Sequence, residues 1–259
     1  MTERGLFGLK GRVALVTGAG GGLGQAIARA YAQHGADLVL ADRDAAAAER
    51  IAAECHELGV RALALAADLA DRRAVEALAD RALQAFGRID VLVCNAGTQG
   101  PAGPLHAVGD QAWDELFQVN LASAHGLAAR LVPAMAQRGM GSVILMASIA
   151  ALRGNGAIGL YGMTKAALAQ LARNLAVEWG PQGVRANAIA PGLIRTPLAT
   201  GLLANDAFMA RRLAATPLRR VGEPEEVAGV AVLLASAAGA FITGQTLVVD
   251  GGTLVSDGS

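Results

Sequence analysis

Residues 12–17 are apolar in their interior and lead into Thr17-Gly18-Ala19-Gly20-Gly21-Gly22-Leu23-Gly24, where a stretch of helical periodicity begins. A buried strand that passes through a glycine turn directly into a helix opens a βαβ unit. The same alternation then repeats along the chain. Short apolar runs predict strands at 12–17, 37–41, 60–66, 89–94, 142–147, 184–190 and 246–249. Between them, helices are predicted at 22–34, 44–58, 71–86, 111–138 (mostly helical), 159–179 and 223–236. Glycines 35, 59 and 87 close the first three helices. Strands that are apolar on both faces belong to a covered, parallel sheet. The expected fold is therefore α/β: a doubly wound, Rossmann-like parallel sheet of about seven strands, with helices on both faces. All 259 residues fit one domain of this kind, and neither a linker nor an internal repeat interrupts them. The stretch 193–217 is too long for a plain connection and reads as irregular, a candidate substrate lid.

Several function classes drop out on composition. Lys plus Arg equals Asp plus Glu at 22 each, which leaves no electrostatic footprint for nucleic acid or an anionic membrane. The two cysteines, Cys55 and Cys94, form no CxxC and read as buried thiols in a reducing, cytoplasmic setting. The four histidines (His34, His56, His106, His125) are scattered, so no metal is expected. Residues 1–12 carry charge and no apolar core, so no signal peptide is evident. Residues 227–249 are uncharged and long enough to cross a bilayer. Ser236, Gly239 and the polar run 243–246 divide them into a buried helix and a buried strand instead.

Chemistry enters at Tyr161-Gly-Met-Thr-Lys165. On a helix the phenol and the ammonium share one face. A free tyrosine titrates near pH 10, and bringing it to about pH 7 takes roughly 4 kcal/mol of charge stabilisation. A nearby cation is expected to supply this, leaving a proton donor and acceptor for an alcohol oxygen near neutral pH. The glycine turn supplies the other half of a site. Gly18, Gly22 and Gly24 let the backbone approach a pyrophosphate, and the helix N-terminus offers N–H groups and positive potential. No GK[ST] follows, which excludes a P-loop. Asp42 lies at the end of the second strand, 18 residues past Gly24, where a carboxylate accepts both ribose hydroxyls of NAD and repels a 2′-phosphate. Asp42 and Asp44 compete as caps of the following helix, and Arg43 could accommodate NADP. Asp68, at the end of the third strand, is either an adenine contact or a helix cap.

These residues resemble the short-chain dehydrogenase/reductase family in its single-domain branch, over nearly the whole chain. The resemblance rests on TGAGGGLG (17–24), ADL (67–69), NAG (95–97), VNL (119–121), Ser148, YGMTK (161–165), PGLIRTP (191–197) and TGQTLVVDGG (243–252), in that order. It implies a catalytic set of Asn120, Ser148, Tyr161 and Lys165. Tyr161 would be the general acid/base, and Lys165 would lower its pKa and hold the nicotinamide ribose. Ser148, 13 residues earlier, would bind the substrate oxygen. Asn120 would kink its helix and hold a relay water. Cofactor contacts are expected from Gly18, Gly22, Leu23, Gly24, Asp42, Arg43, Asp68 and Leu69. Asn95, Ala96, Gly97, Tyr161, Lys165, Pro191, Gly192, Ile194 and Thr196 complete the set. Where many relatives carry two serines, this chain has Ala147-Ser148.

The expected reaction is hydride exchange between NAD(H) and a small or medium secondary alcohol or its ketone. A sugar acid or an alicyclic alcohol is the candidate substrate, and 6–11 resembles sugar-acid members. Residues 150–160, 98–104 and 193–217 are the expected pocket wall, with Arg153 and Arg195 available for a carboxylate. The alternatives are an NADPH-dependent 3-oxoacyl ketoreductase and a non-catalytic NAD-sensing regulator. The resemblance also implies a homotetramer built on two-fold axes.

Overall fold

The computed structural model describes residues 5–256. Within them one sheet holds seven parallel strands: β1 (Val13–Thr17), β2 (Asp37–Asp42), β3 (Ala62–Ala66), β4 (Val91–Cys94), β5 (Gly141–Met146), β6 (Val184–Pro191) and β7 (Thr246–Val249). Their spatial order is β3-β2-β1-β4-β5-β6-β7. The winding reverses between β1 and β4, which opens a crevice at their carboxyl ends.

Side-chain alternation along the strands feeds two cores. Val13 and Leu15 of β1 face the helices α3 (Arg72–Phe86), α5 (Ser123–Gln137) and α6 (Gly159–Trp179). Ala14 and Val16 face α1 (Gly22–Gln33), α2 (Ala45–Glu57) and, with β5 and β6, α9 (Pro224–Ala235). The Tyr31 hydroxyl, fully buried on α1, donates to the Ala231 carbonyl of α9 at 3.0 Å. That tyrosine is a structural tie, and burial raises its phenol above the ordinary value. Below the sheet, Asp90 is buried between Arg88 (2.5 Å) and Arg138 (3.6 Å) and accepts from the Val13 N–H (3.0 Å). It ties β1 to the entry of β4.

Most element ends shift by one or two residues, because capping residues sit outside their helices. Asp44 and Asp71 accept from N–H groups in the first turns of α2 and α3, so Asp42 is not the cap. Larger departures concern three segments. The predicted 111–138 helix is two helices, α4 (Asp110–Phe117) and α5, joined by a π-helical turn at Gln118–Ala122. The 193–217 stretch is not irregular: after a 3₁₀ turn it forms α7 (Thr200–Leu203) and α8 (Asp206–Ala214). β3 ends at Ala66, so Asp68 lies past the strand, exposed, its carboxylate accepting from the Ala70 N–H (3.0 Å). Residues 227–249 divide between α9 and β7, and no helix among the described residues is long and apolar enough to cross a membrane. Cys55 and Cys94 are buried and unpaired, their thiols pushed up by burial to about 11 and about 12. No His, Cys, Asp or Glu cluster able to hold a metal occurs among the described residues. The first four residues of the N-terminal segment lie outside the described residues.

Candidate active site

A cleft of about 710 Å³ opens at the carboxyl ends of the strands. The β1–α1 turn forms its floor. Gly21 caps α1 without a side-chain bond, so the orphan N–H groups of the first turn remain for a ligand anion. A Cβ on Gly21 would meet nothing within 4 Å, whereas one on Gly24 would meet the Gly18 carbonyl oxygen at 1.9 Å. The first glycine leaves room for a ligand, and the second lets α1 close against the turn.

Asn95 and Thr17 clasp this floor across the switch point. The Asn95 amide donates to the carbonyls of Thr17 (3.0 Å) and Gly18 (3.2 Å). Thr17 Oγ1 accepts from the N–H groups of Asn95 and Ala96, both at 3.1 Å. Asn95 therefore shapes the turn. Asp42 lines the cleft with its carboxylate fixed by the Gly20 N–H (2.9 Å) and the Asp44 N–H (3.0 Å). Beside it Ala41, Ala67, Leu69 and Val119 make an apolar slot suited to a flat base. Anion-ready N–H groups, a diol-accepting carboxylate and an apolar slot, in that order, fit a dinucleotide.

The other half of the cleft carries the reactive groups. Ser148 follows β5, and its Oγ accepts from the Ala150 N–H (3.1 Å). The serine also acts on the Tyr161 phenol and lowers its pKa. Tyr161 and Lys165 project from one face of α6, as their spacing predicts. Their electrostatics differ from the expectation. Burial pushes the phenol above its ordinary value, and Ser148 pulls it back only in part. The Lys165 ammonium does not offset this. It lies over the tyrosine ring, 5.5 Å from the centroid, and donates to the Met146 carbonyl at 2.7 Å. Burial drops the lysine to about 8.

Asn120 is buried in the π-turn, away from the cleft surface. Its Oδ1 accepts from the Thr98 N–H (2.9 Å), and its Nδ2 donates to the Thr98 carbonyl (2.9 Å) and Thr164 Oγ1 (3.1 Å). Both Nδ2 protons and one acceptor site of Oδ1 are used in clamping the loop after β4 to α6.

Of the sequence-derived set, Gly18, Gly22, Leu23, Asp42, Arg43, Leu69, Asn95, Ala96, Gly97, Ser148, Tyr161, Lys165, Pro191, Gly192, Ile194 and Thr196 line one cleft. Gly24, Asp68 and Asn120 do not. Arg195, expected to face a substrate, is exposed and bonded to Glu223 at 3.1 Å. Arg212 was missed: it lines the cleft from α8, whose helical character was not anticipated.

Residues 18–253 match the family model described as enoyl-(acyl carrier protein) reductase. The cis-4-hydroxycyclohexanecarboxylate dehydrogenase of Sinomonas cyclohexanicum is 40% identical over 242 residues, 93% of this chain and 96% of that protein. A 7α-hydroxysteroid dehydrogenase complexed with NADH and 7-oxo glycochenodeoxycholic acid superposes with a TM-score of 0.92 at 34% identity, covering 97% and 98% of the two chains. A gluconate 5-dehydrogenase from Burkholderia cenocepacia, in complex with NADP and tartrate, superposes equally well (TM-score 0.92, 36% identity, 97% and 98% covered).

Proposed function

The chain belongs to the short-chain dehydrogenase/reductase family, an oxidoreductase acting on CH–OH groups, and from that premise we propose an NAD-linked secondary-alcohol dehydrogenase centred on Tyr161. One observation carries the reading: Tyr161, Ser148 and Lys165 share a cleft with a glycine turn shaped for a dinucleotide. Bound there, the dinucleotide supplies the hydride acceptor or donor. The protein positions the alcohol and moves its proton. Ser148 Oγ, fixed by the Ala150 N–H, holds the substrate oxygen against the phenol. In oxidation Tyr161 Oη receives the hydroxyl proton, and in reduction it returns one. With the dinucleotide bound, Lys165 would hold the nicotinamide ribose, and its charge would there favour the phenolate form of Tyr161 that accepts the hydroxyl proton. Asn120 keeps the wall rigid by clamping Thr98 and Thr164.

NAD is favoured because the Asp42 carboxylate is already oriented by two N–H groups and would repel a 2′-phosphate. NADP is the second reading, supported by Arg43, which borders the cleft beside Asp42. Residues 193–217 serve as the lid of a single-domain enzyme. Exposed apolar side chains at Leu218, Phe241, Val248 and Val255 support burial in a homotetramer, and the reduced thiols fit the cytoplasm.

The test is turnover of 4-hydroxycyclohexanecarboxylate, gluconate and a 7α-hydroxysteroid with each cofactor. Tyr161→Phe should lower kcat by about 10²–10⁴-fold while retaining cofactor binding. Asp42→Ala should move the NAD/NADP ratio toward NADP. Turnover that survives in Tyr161→Phe would remove the phenol from the mechanism, and dinucleotide binding without turnover would favour a sensor.

A further inference from the structure

Four cations line the cleft: Arg43, Arg153, Lys165 and Arg212. Two are accounted for. Lys165 is bound to the Met146 carbonyl beside Tyr161, and Arg43 follows β2 next to Asp42, at the ribose end. Arg153 and Arg212 belong to the other end. Arg153 comes from the loop after β5 that also carries Ser148, and Arg212 from α8 in the lid. Ile158, Leu193, Leu198 and Leu202 line the same cleft.

Among the described residues neither guanidinium has a carboxylate within salt-bridge distance, whereas Arg195 and Arg220 are paired with Glu223 and Glu226. Arg212 rests over the Phe208 ring, 5.3 Å from the centroid, which fixes its plane. Asp250 acts on Arg212 by its charge, but its oxygens accept from the Gly252 N–H (2.8 Å) and the Leu254 N–H (2.7 Å). Of the carboxylates lining the cleft, Asp42 and Asp44 lie at the ribose end. Glu115 borders a second depression beside Ala70 and Arg72, on the β3 side. An exposed Arg153 and a half-buried Arg212 thus line one compartment in which no described carboxylate pairs with them.

We propose that Arg153 and Arg212 form a carboxylate-binding subsite, so that the substrate is a hydroxy acid whose carboxylate is held by the lid while its carbinol carbon meets Tyr161. The proposal rests on the alcohol-dehydrogenase reading of the same cleft. The electrostatics agree with it: burial and the charge of Arg153 both lower the Arg212 pKa, a mutual repulsion that an anion between them would relieve. Guanidinium is suited to this task because its planar fork meets a carboxylate through two parallel N–H groups. Each arginine on its own side of the cleft also gives the lid a reason to close: the anion bridges α8 to the loop after β5.

Two measurements test the subsite. In the first, kcat/KM is compared for each hydroxy acid of the panel and its methyl ester. The unmodified protein should favour the acid, and Arg153→Gln and Arg212→Gln should each reduce the acid-to-ester ratio about 10–100-fold, chiefly through KM. A ratio near one in the unmodified protein, or one unchanged in both variants, overturns the proposal while leaving the dehydrogenase intact. In the second, cyclohexanecarboxylate, which has no hydroxyl, is titrated calorimetrically in the presence of NADH. Binding that weakens in Arg212→Gln supports the subsite even where no alcohol is oxidised, in which case the reaction reading fails alone. Absence of binding to the unmodified protein counts against the subsite.

Discussion

Alanine at Gly24 and alanine at Gly21 should have opposite consequences, although the two glycines lie in one turn. At Gly24 the new methyl would sit 1.9 Å from the Gly18 oxygen, 2.7 Å from its carbonyl carbon and 2.8 Å from Asn95 Nδ2. Ordinary contact begins at 3.4 Å, and two of the atoms in the way are backbone, so α1 must retreat from the turn. Overpacking of this kind costs about 3 kcal/mol, at the upper end of its usual range. Alanine is the better helix former and returns about 1 kcal/mol. The net loss of about 2 kcal/mol should lower Tm by roughly 4–8 °C in a chain of this size. At Gly21 nothing lies within 4 Å and the backbone is extended (φ −162°), a conformation open to any residue. The cost there is about 0.5 kcal/mol for an alanine at a helix cap, or about 1–2 °C. Its methyl instead enters the space left for the dinucleotide and should weaken binding by about tenfold. Scanning calorimetry and NADH fluorescence titration on both variants read the two effects separately. If Gly21→Ala loses as much stability as Gly24→Ala, or if it binds NADH undiminished, the division of labour between the glycines is wrong.

Two further outcomes follow from buried charges. Lys165 titrates at about 8 when folded and at 10.5 in its ordinary state, so between those values the unfolded chain binds the extra proton. Stability should therefore rise with pH through that window, with the full cost of roughly 3 kcal/mol present below it. Urea unfolding of Lys165→Met against the unmodified protein should show the variant's relative stability falling by about 2 kcal/mol from about pH 7 to about pH 9.5, and a constant difference would refute the burial argument. Asp90→Ala strands Arg88 and Arg138 and frees the Val13 N–H, which should cost about 3 kcal/mol in the same assay. A loss below about 1 kcal/mol would mean that the partly exposed arginines rehydrate fully.

The sheet was legible because each strand is a short apolar run and each early helix ends in glycine. The bounds of α6 and β7 are those the pattern predicts. The π-turn around Asn120 could not be read from local pattern, since it uses the residue types of an ordinary helix. Its cause is tertiary: the Asn120 amide reaches Thr98 and Thr164, 22 and 44 residues away. The Tyr161–Lys165 spacing identified a shared helix face but not the direction of the ammonium, which the Met146 carbonyl decides. Asp42 and Asp44 were indistinguishable as caps until the turn brought the Gly20 N–H to Asp42. Arg195 looked better placed than Arg212 only because the lid was read without its helices. With α8 formed, Arg212 turns toward the cleft and Arg195 toward Glu223.

The two ends of the cleft are built from material of very different stability. The dinucleotide end is framed by the β1–α1 turn and strand ends whose apolar residues are almost wholly buried. The end proposed for the substrate is bordered by α7 and α8, none of whose residues is fully buried. Segments with so little core open locally at small free-energy cost and tolerate replacement. A library confined to residues 197–214 would thus vary what the enzyme accepts while leaving its foldability and its redox partner untouched, and it would need no prior stabilisation of the scaffold. In that sense the sheet sets the reaction, and a thin helical flap is where new specificities can be selected.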